Sequence, residues 1–201
     1  MIDLYTSPTP NGRKVSILLE ELGLPYTVHA VDLAKGEQRA EAFLALNTNG
    51  KIPVIVDGPV VLAESGAILV YLAEKTGSPL LPTDPVGRAA VWQSLMFQMS
   101  GLGPTWGQVY YFSMRAPEPN PAALERFLTE ANRQTDVLEA HLSRTPWVAG
   151  EHYTIADIAF YPWIVLADRL GIPLETRPAL RRWRDTLTAR PAVTAGMAVP
   201  A

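Results

Sequence analysis

IDLYTSPTPNGRKVSILLEELGLPYTVHAV, residues 2–31, changes its hydrophobic period twice. IDLY alternates apolar and polar residues, the pattern of a strand, and YTVHAV reads as a second strand. Between them Val15, Leu18, Leu19 and Leu22 fall at i, i+3, i+4 and i+7, one face of a helix, with Gly23 as its stop. A strand–helix–strand unit of this length is a crossover and favours parallel pairing of its strands. The helix start has an explicit grammar. Thr9 suits the N-cap and Pro10 the first helical position, with Asn11 and Gly12 next; Ser7-Pro8 offers a competing register. A helix start presents unpaired N–H groups and a partial positive charge, and so favours an anion. Thr9 adds a hydroxyl, Asn11 an amide, and Gly12 a backbone that a ligand can approach closely. A capped helix without any ligand has the same signature, so this segment alone leaves both readings open.

Working outward, KGEQRAEAFLAL predicts irregular helix, and PVIVDGPVVLA gives two apolar runs around Asp57-Gly58, a hairpin signal. ESGAILVYLAEKTG predicts a further helix. Residues 1–76 thus read β-α-β-α-β-β-α, and residues 77–85, GSPLLPTDP, read as a linker. Residues 86–201 read as all helical. Asp84-Pro85 and Asn120-Pro121 are start signals, and Leu124, Phe127, Leu128, Ala131, Leu138 and Leu142 form one buried face. Thr154 and Asp157 suit a capping box, with Tyr153 and Ile158 as its staple, and Pro162 should kink the helix that follows. Leu180, Trp183 and Leu187 mark another helix. The expected fold is a small α/β domain followed by an all-α bundle.

Composition removes several classes of function. Of 201 residues 48% are apolar and 18% charged, values of a soluble globular protein. No apolar run approaches the roughly 18–20 residues of a membrane span. The opening MIDLYTSPTP lacks the basic and apolar regions of a signal peptide, so a cytoplasmic address is expected. A net charge of −3 gives no basic field for nucleic acid or an acidic membrane. The chain has no cysteine, which excludes a thiolate metal site, a cysteine nucleophile and a redox pair of its own. His29, His141 and His152 lie far apart and in no ligand spacing, so no metal is expected. Any thiol chemistry must arrive with a ligand.

Two further segments bear on the helix start. In NGKIPVIV, Ile52-Pro53 opens a strand; a cis bond there would turn the Ile52 N–H and C=O outward toward an extended peptide, and an ordinary Pro-initiated strand is the alternative. In LAESGAILVYL, Ser65 suits an N-cap, and Glu64 is either a solvated acid or a partner for a ligand amine. A second helix start would make a second anion site.

In this order the segments resemble the glutathione transferase superfamily, across essentially the whole chain. TPNGRKVSILLEE, NGKIPVI, ESGAILVYLAEKTG, GLGPTWGQ and YTIADIAFYPW are all similar to its bacterial nu class, related to the yeast nitrogen-regulator type. KIPVI and ESGAI are typical of the superfamily, whereas TPNGRKV and GLGPTWGQ place the branch. The resemblance implies an N-terminal thioredoxin-like domain and a C-terminal α-helical domain. It implies that Thr9 and Asn11 face the sulfur of glutathione, and that Ile52, before a cis Pro53, pairs its backbone with the cysteinyl part. Glu64 and Ser65 would hold the γ-glutamyl end, and Gln38 and Lys51 the glycyl end. Arg126 would reach the ligand of the other subunit in a homodimer. Trp106, Tyr110 and Tyr111 would border the second-substrate pocket or, alternatively, pack in the helical core. Better-known branches of the superfamily activate the thiol with Tyr or Ser. Tyr5 is expected to pack instead, and Ser7 stays a minor candidate.

A free thiol has a pKa near about 8.5, and about 1.4 kcal/mol of thiolate stabilisation lowers it by one unit. A helix start supplies roughly 0.3–2 kcal/mol, and a hydrogen bond to a charged group about 1.5–3 kcal/mol. Thr9 and Asn11 can therefore ionise bound glutathione without a general base. The thiolate then attacks either an electrophilic carbon or a disulfide. The resemblance implies disulfide reduction, with reduced or oxidised glutathione as cosubstrate, a small disulfide or electrophile as second substrate, and weak conjugation beside it. A conventional conjugating transferase and a non-catalytic binding or regulatory protein are the alternatives.

Overall fold

The computed structural model describes residues 1–200. By internal packing the chain forms two units, one of residues 1–81 together with the segment from Thr188 onward, the other Pro82–Leu187.

In the first unit, strands β1 (Ile2–Thr6), β2 (Tyr26–Ala30), β3 (Val54–Asp57) and β4 (Val60–Ala63) form one sheet in the order β2-β1-β3-β4. β1 pairs parallel with β2 across helix α1 (Pro10–Leu22), the crossover expected from the alternating periods. β3 pairs antiparallel with β1 and with β4, and Asp57-Gly58 makes the tight turn between the last two. A short 3-10 turn (Glu37–Arg39) and helix α2 (Glu41–Leu44) form the irregular helical stretch, and α3 (Ser65–Thr76) closes the unit. Strand alternation sorts the side chains. Ile2, Leu4 and Thr6 are buried on one face, and Leu18, Leu19, Ile68, Leu69 and Leu72 are wholly buried on α1 and α3. On the other face Val31, Phe43 and Val54 form a second apolar cluster, to which Tyr5 and Ile52 add.

The C-terminal helix α9 (Pro191–Met197) belongs to this first unit and not to the helical domain of residues 86–201 read from sequence. It docks on α1. A Cβ at Gly196 would lie 2.4 Å from the Ile17 Cα, so only glycine allows the two helices this approach. Ser16 Oγ donates to the Gly196 carbonyl at 2.7 Å, and Arg190 makes a two-pronged bond to the Glu21 carboxylate at 2.7 Å per prong. A contact made through a missing side chain leaves no hydrophobic period, which is why the sequence did not show it.

The second unit is helical: α4 (Pro85–Met96), α5 (Gly103–Met114), α6 (Pro121–Leu142), α7 (Ile155–Ile164) and most of α8 (Pro178–Thr188). Asp84 and Asn120 cap α4 and α6 as expected. A wider, π-helical stretch, Phe97–Leu102, joins α4 to α5. Pro104 has no N–H for the carbonyl four residues back, a condition that favours such a change of register. The Asp157 carboxylate of the capping box is wholly buried. It accepts from the Thr154 N–H at 2.9 Å, the Val148 N–H at 3.0 Å and Trp183 Nε1 at 2.8 Å, tying α7 to a loop and to α8. No helix among the described residues is long and apolar enough to cross a membrane.

Candidate functional site

Strand directions bring the expected site segments of the first unit together. β1 and β4 each run antiparallel to β3, so they point the same way, and the helices that follow them, α1 and α3, start at the same end of the sheet. β3 begins at that end. Val54 stands opposite both Tyr5 and Ala63, so the preceding Ile52-Pro53 lies beside the chain leaving β1 and beside Glu64-Ser65. Two helix starts and the opening of a strand thus share one edge, and both helix dipoles favour negative charge there.

At the first start the register is settled: Thr9 is the N-cap of α1, extended at φ −113°, and its Oγ accepts from the Gly12 N–H at 3.2 Å. The hydroxyl keeps its own proton for another acceptor. Asn11, like Thr9, is half-buried. Gly12 is buried, and a Cβ on it would lie 2.4 Å from both the Ser7 carbonyl and Thr6 Oγ1. Ser7 is 7% exposed, its carbonyl accepting from the Thr9 N–H at 2.6 Å. Tyr5 packs on the far apolar cluster and stacks on His29 with ring centroids 4.5 Å apart, in keeping with its expected packing role. His29 in turn meets Asp3 at 2.7 Å.

The Ile52-Pro53 bond is cis. Ile52 lies outside the sheet ladder, which begins at Val54, so its N–H and C=O are not spent on strand pairing. Gln38 sits in the 3-10 turn, and its Oε1 is buried with no hydrogen-bond partner among the described residues, an acceptor without a donor. Gly50 approaches this turn closely, its Cβ position 3.2 Å from the Gln38 carbonyl, and thereby brings the exposed Lys51 to the same neighbourhood.

At the second helix start the structure corrects the sequence. The N-cap of α3 is Glu64, and Ser65 is its first helical residue. Glu64 has φ 68° and ψ 110°, the one positive φ of a non-glycine among the described residues, and its side chain makes no capping bond. Sequence reasoning places Ser at a cap by propensity and does not foresee an acid in this strained conformation. It also missed Lys14, which is 1% exposed on α1. Burial pushes this ammonium down to about 7, and the charge of Glu64 pushes it back up. The signal was present, since Lys14 precedes Leu18 by four residues and so falls on the apolar stripe.

The remaining expected residues belong to the second unit. Trp106 on α5 is wholly buried, in line with the core-packing alternative, and its Nε1 has no hydrogen-bond partner among the described residues. Tyr110 is half-buried with the Arg115 guanidinium 6.0 Å from its ring centroid, and Tyr111 is exposed. Arg126 on α6 lines a groove of about 550 Å³ with Thr105, Phe127 and Glu130. No cluster of three or more His, Asp or Glu able to hold a metal occurs among the described residues.

Comparison with known proteins agrees with this fold. Residues 9–75 match the glutathione S-transferase N-terminal domain family and residues 103–191 the corresponding C-terminal domain family. The disulfide-bond oxidoreductase YfcG of Escherichia coli (strain K12) is 46% identical over 199 residues, covering 96% of this chain and 92% of its own. A glutathione transferase homologue from Lodderomyces elongisporus, solved with two GSH per subunit, superposes with a TM-score of 0.94 at 39% identity, covering 100% of this chain and 99% of its own. A glutathione transferase from Pseudomonas putida, solved with one glutathione disulfide per subunit, gives 0.94 at 41% identity, covering 100% and 92%. The chain belongs to the glutathione S-transferase family.

Proposed function

We propose that the chain is a cytoplasmic, glutathione-dependent disulfide reductase with weaker glutathione-conjugating activity. The observation that carries this reading is the convergence of the Thr9–Asn11 helix start, the cis Ile52-Pro53 and the Glu64–Ser65 helix start on one sheet edge, in a chain without cysteine. The similarity to a disulfide-bond oxidoreductase, and to transferases solved with two glutathiones or with glutathione disulfide, supports it.

In this reading Thr9 donates its hydroxyl proton to the glutathione sulfur and Asn11 its amide, while the α1 dipole adds positive potential. The Ile52 backbone pairs with the cysteinyl unit, Glu64 and Ser65 hold the γ-glutamyl end, and Gln38 and Lys51 the glycyl end. The bound thiolate attacks one sulfur of the substrate disulfide, forms a mixed disulfide and releases the other sulfur as a thiolate, which takes up a proton. A second glutathione thiolate attacks the glutathione sulfur of the mixed disulfide, giving glutathione disulfide and the second substrate thiol. Neutral donors transfer no proton here; they position the sulfur and stabilise its charge. Tyr110 and Tyr111 offer flat apolar contacts to the second substrate. The chain acts as a homodimer in which Arg126 reaches the partner subunit's ligand.

The test compares reduction of 2-hydroxyethyl disulfide with conjugation of an aryl halide, both at saturating glutathione. Disulfide reduction is expected to lead. Thr9→Ala and Asn11→Ala should each lower it by about 10–1,000-fold, the range for loss of one donor to a developing anion. Conjugation in the lead would favour the conventional transferase, and neither rate above background a binding protein. Unchanged reduction in both variants would remove the site assignment.

A further inference from the structure

Helix α1 carries two stripes. Val15, Leu18, Leu19 and Leu22 form the apolar one, and the first three of these are wholly buried. Arg13, Ser16, Ile17 and Glu21, spaced i, i+3, i+4 and i+8, form the second, and each of them meets α9 or its cap. Arg13 Nη1 lies 4.0 Å from Met197 Sδ, and Ser16 Oγ donates to the Gly196 carbonyl at 2.7 Å. The Gly196 backbone lies directly against that of Ile17, and the Glu21 carboxylate accepts both prongs of Arg190. Arg190 thus stands at the Glu21 end and Met197 at the Arg13 end. Helix α9 therefore runs antiparallel to α1 and spans it from the last turn to the first.

The two stripes constrain different things. Burial of apolar surface is non-directional and sets how closely α1 lies against its neighbours. Bonds to a backbone carbonyl and to a carboxylate are directional, and together with a backbone-to-backbone contact they fix α1 along its own axis. Thr9 and Asn11 move with α1, whereas Ile52 precedes β3 and Glu64 opens α3. A slide of α1 changes the distance from the two donors to a sulfur held by those other segments. A misplacement of about 1 Å can cost about 100-fold in rate.

We propose that Ser16 and Gly196 are positioning residues of the glutathione site: through them α9 fixes the axial position of α1, and with it the approach of Thr9 and Asn11 to the glutathione sulfur. This rests on the glutathione reading. Both residues are buried and act through α1.

Ser16→Ala removes the bond to α9, and Gly196→Ala drives a methyl group into the Ile17 backbone. Each variant is compared with wild type in reduction of 2-hydroxyethyl disulfide and in ultraviolet titration of the thiolate of bound glutathione. Each should raise the pKa of the bound thiol by about 0.5–1 unit and move the rising limb of the kcat–pH profile up with it, with KM for glutathione within about twofold. Added to a Thr9→Ala, Asn11→Ala double variant, Ser16→Ala should shift the thiol pKa little further, because its effect passes through those donors. A changed KM or a lowered kcat with an unshifted thiol pKa would overturn the proposal, and the latter is what mere loss of folded protein gives. An equal pKa shift without the two donors would overturn it as well. Ser16→Ala decides alone if Gly196→Ala does not fold. Wild-type protein that neither binds nor turns over glutathione overturns the glutathione reading and this inference with it. A wild type that binds glutathione, with variants indistinguishable from it, overturns this inference alone.

Discussion

At the scale of single residues, the helix start at Thr9 depends on a side chain that is absent. Gly12 lets α1 begin hard against the end of β1, and its N–H is the donor that holds Thr9 Oγ. Gly12→Ala drives a methyl group into the Ser7 carbonyl and Thr6 Oγ1, and one of these groups is backbone and cannot swing away. The substitution should destabilise the protein by about 1–3 kcal/mol, the usual cost of overpacking, read as a lower urea midpoint. Disulfide reduction by the folded variant should fall as well, because Thr9 moves with Gly12. An unchanged midpoint would show that the close approach does not constrain the native state. Thr9, Gly12 and Pro53 were legible in sequence because cap, glycine and X-Pro signals are local. Lys14 was visible as a cation in an apolar stripe, but its near-complete burial in the fold was not.

At the scale of elements, α7 hangs on one carboxylate. Burial pushes Asp157 up to about 6, the hydrogen-bond donors around it opposing that shift. An unfolded aspartate titrates near about 3.9, so the folded chain binds this proton more tightly. The resulting stability is full below about pH 4 and is lost as pH rises to about 6. Asp157→Asn, neutral throughout, should remove that slope. The stability of wild type relative to the variant should then fall, by no more than about 3 kcal/mol, between about pH 4 and about pH 6.5, measured by urea unfolding at both. A difference that stays flat would mean that the donors, and not burial, dominate the carboxyl group. The capping box was readable from Thr154 and Asp157 alone. The bond from Trp183 was not, because it joins residues that only packing brings together.

At the scale of the whole molecule, the helical unit exposes Trp92 and Met96 one turn apart on α4, with Val86 on the same helix. Apolar side chains of this size gain free energy when a second surface covers them, at roughly 25 cal/mol per Å². Together with the homodimer expected for this family, they lead to a definite outcome in sizing: a species of roughly twice the 22.0 kDa chain mass. Elution at the chain mass itself would remove both the dimer and the role given to Arg126. The π-helical stretch before Pro104 and the docking of α9 on α1 are likewise features of the folded chain, each absent from the hydrophobic period.

The sequence by itself determined the order of strands and helices, the caps of α4, α6 and α7, the hairpin at Asp57-Gly58 and the family, and it narrowed the start of α1 to two registers. All of these rest on interactions between residues near one another in the chain, or on motifs that carry local geometry. Only the tertiary structure decided that α9 returns to the first unit, that Glu64 and not Ser65 caps α3, and that a lysine lies buried on α1. Those outcomes depend on which surfaces meet. A close approach through Gly196, a strained φ and a buried lysine become visible only when distant segments are placed side by side.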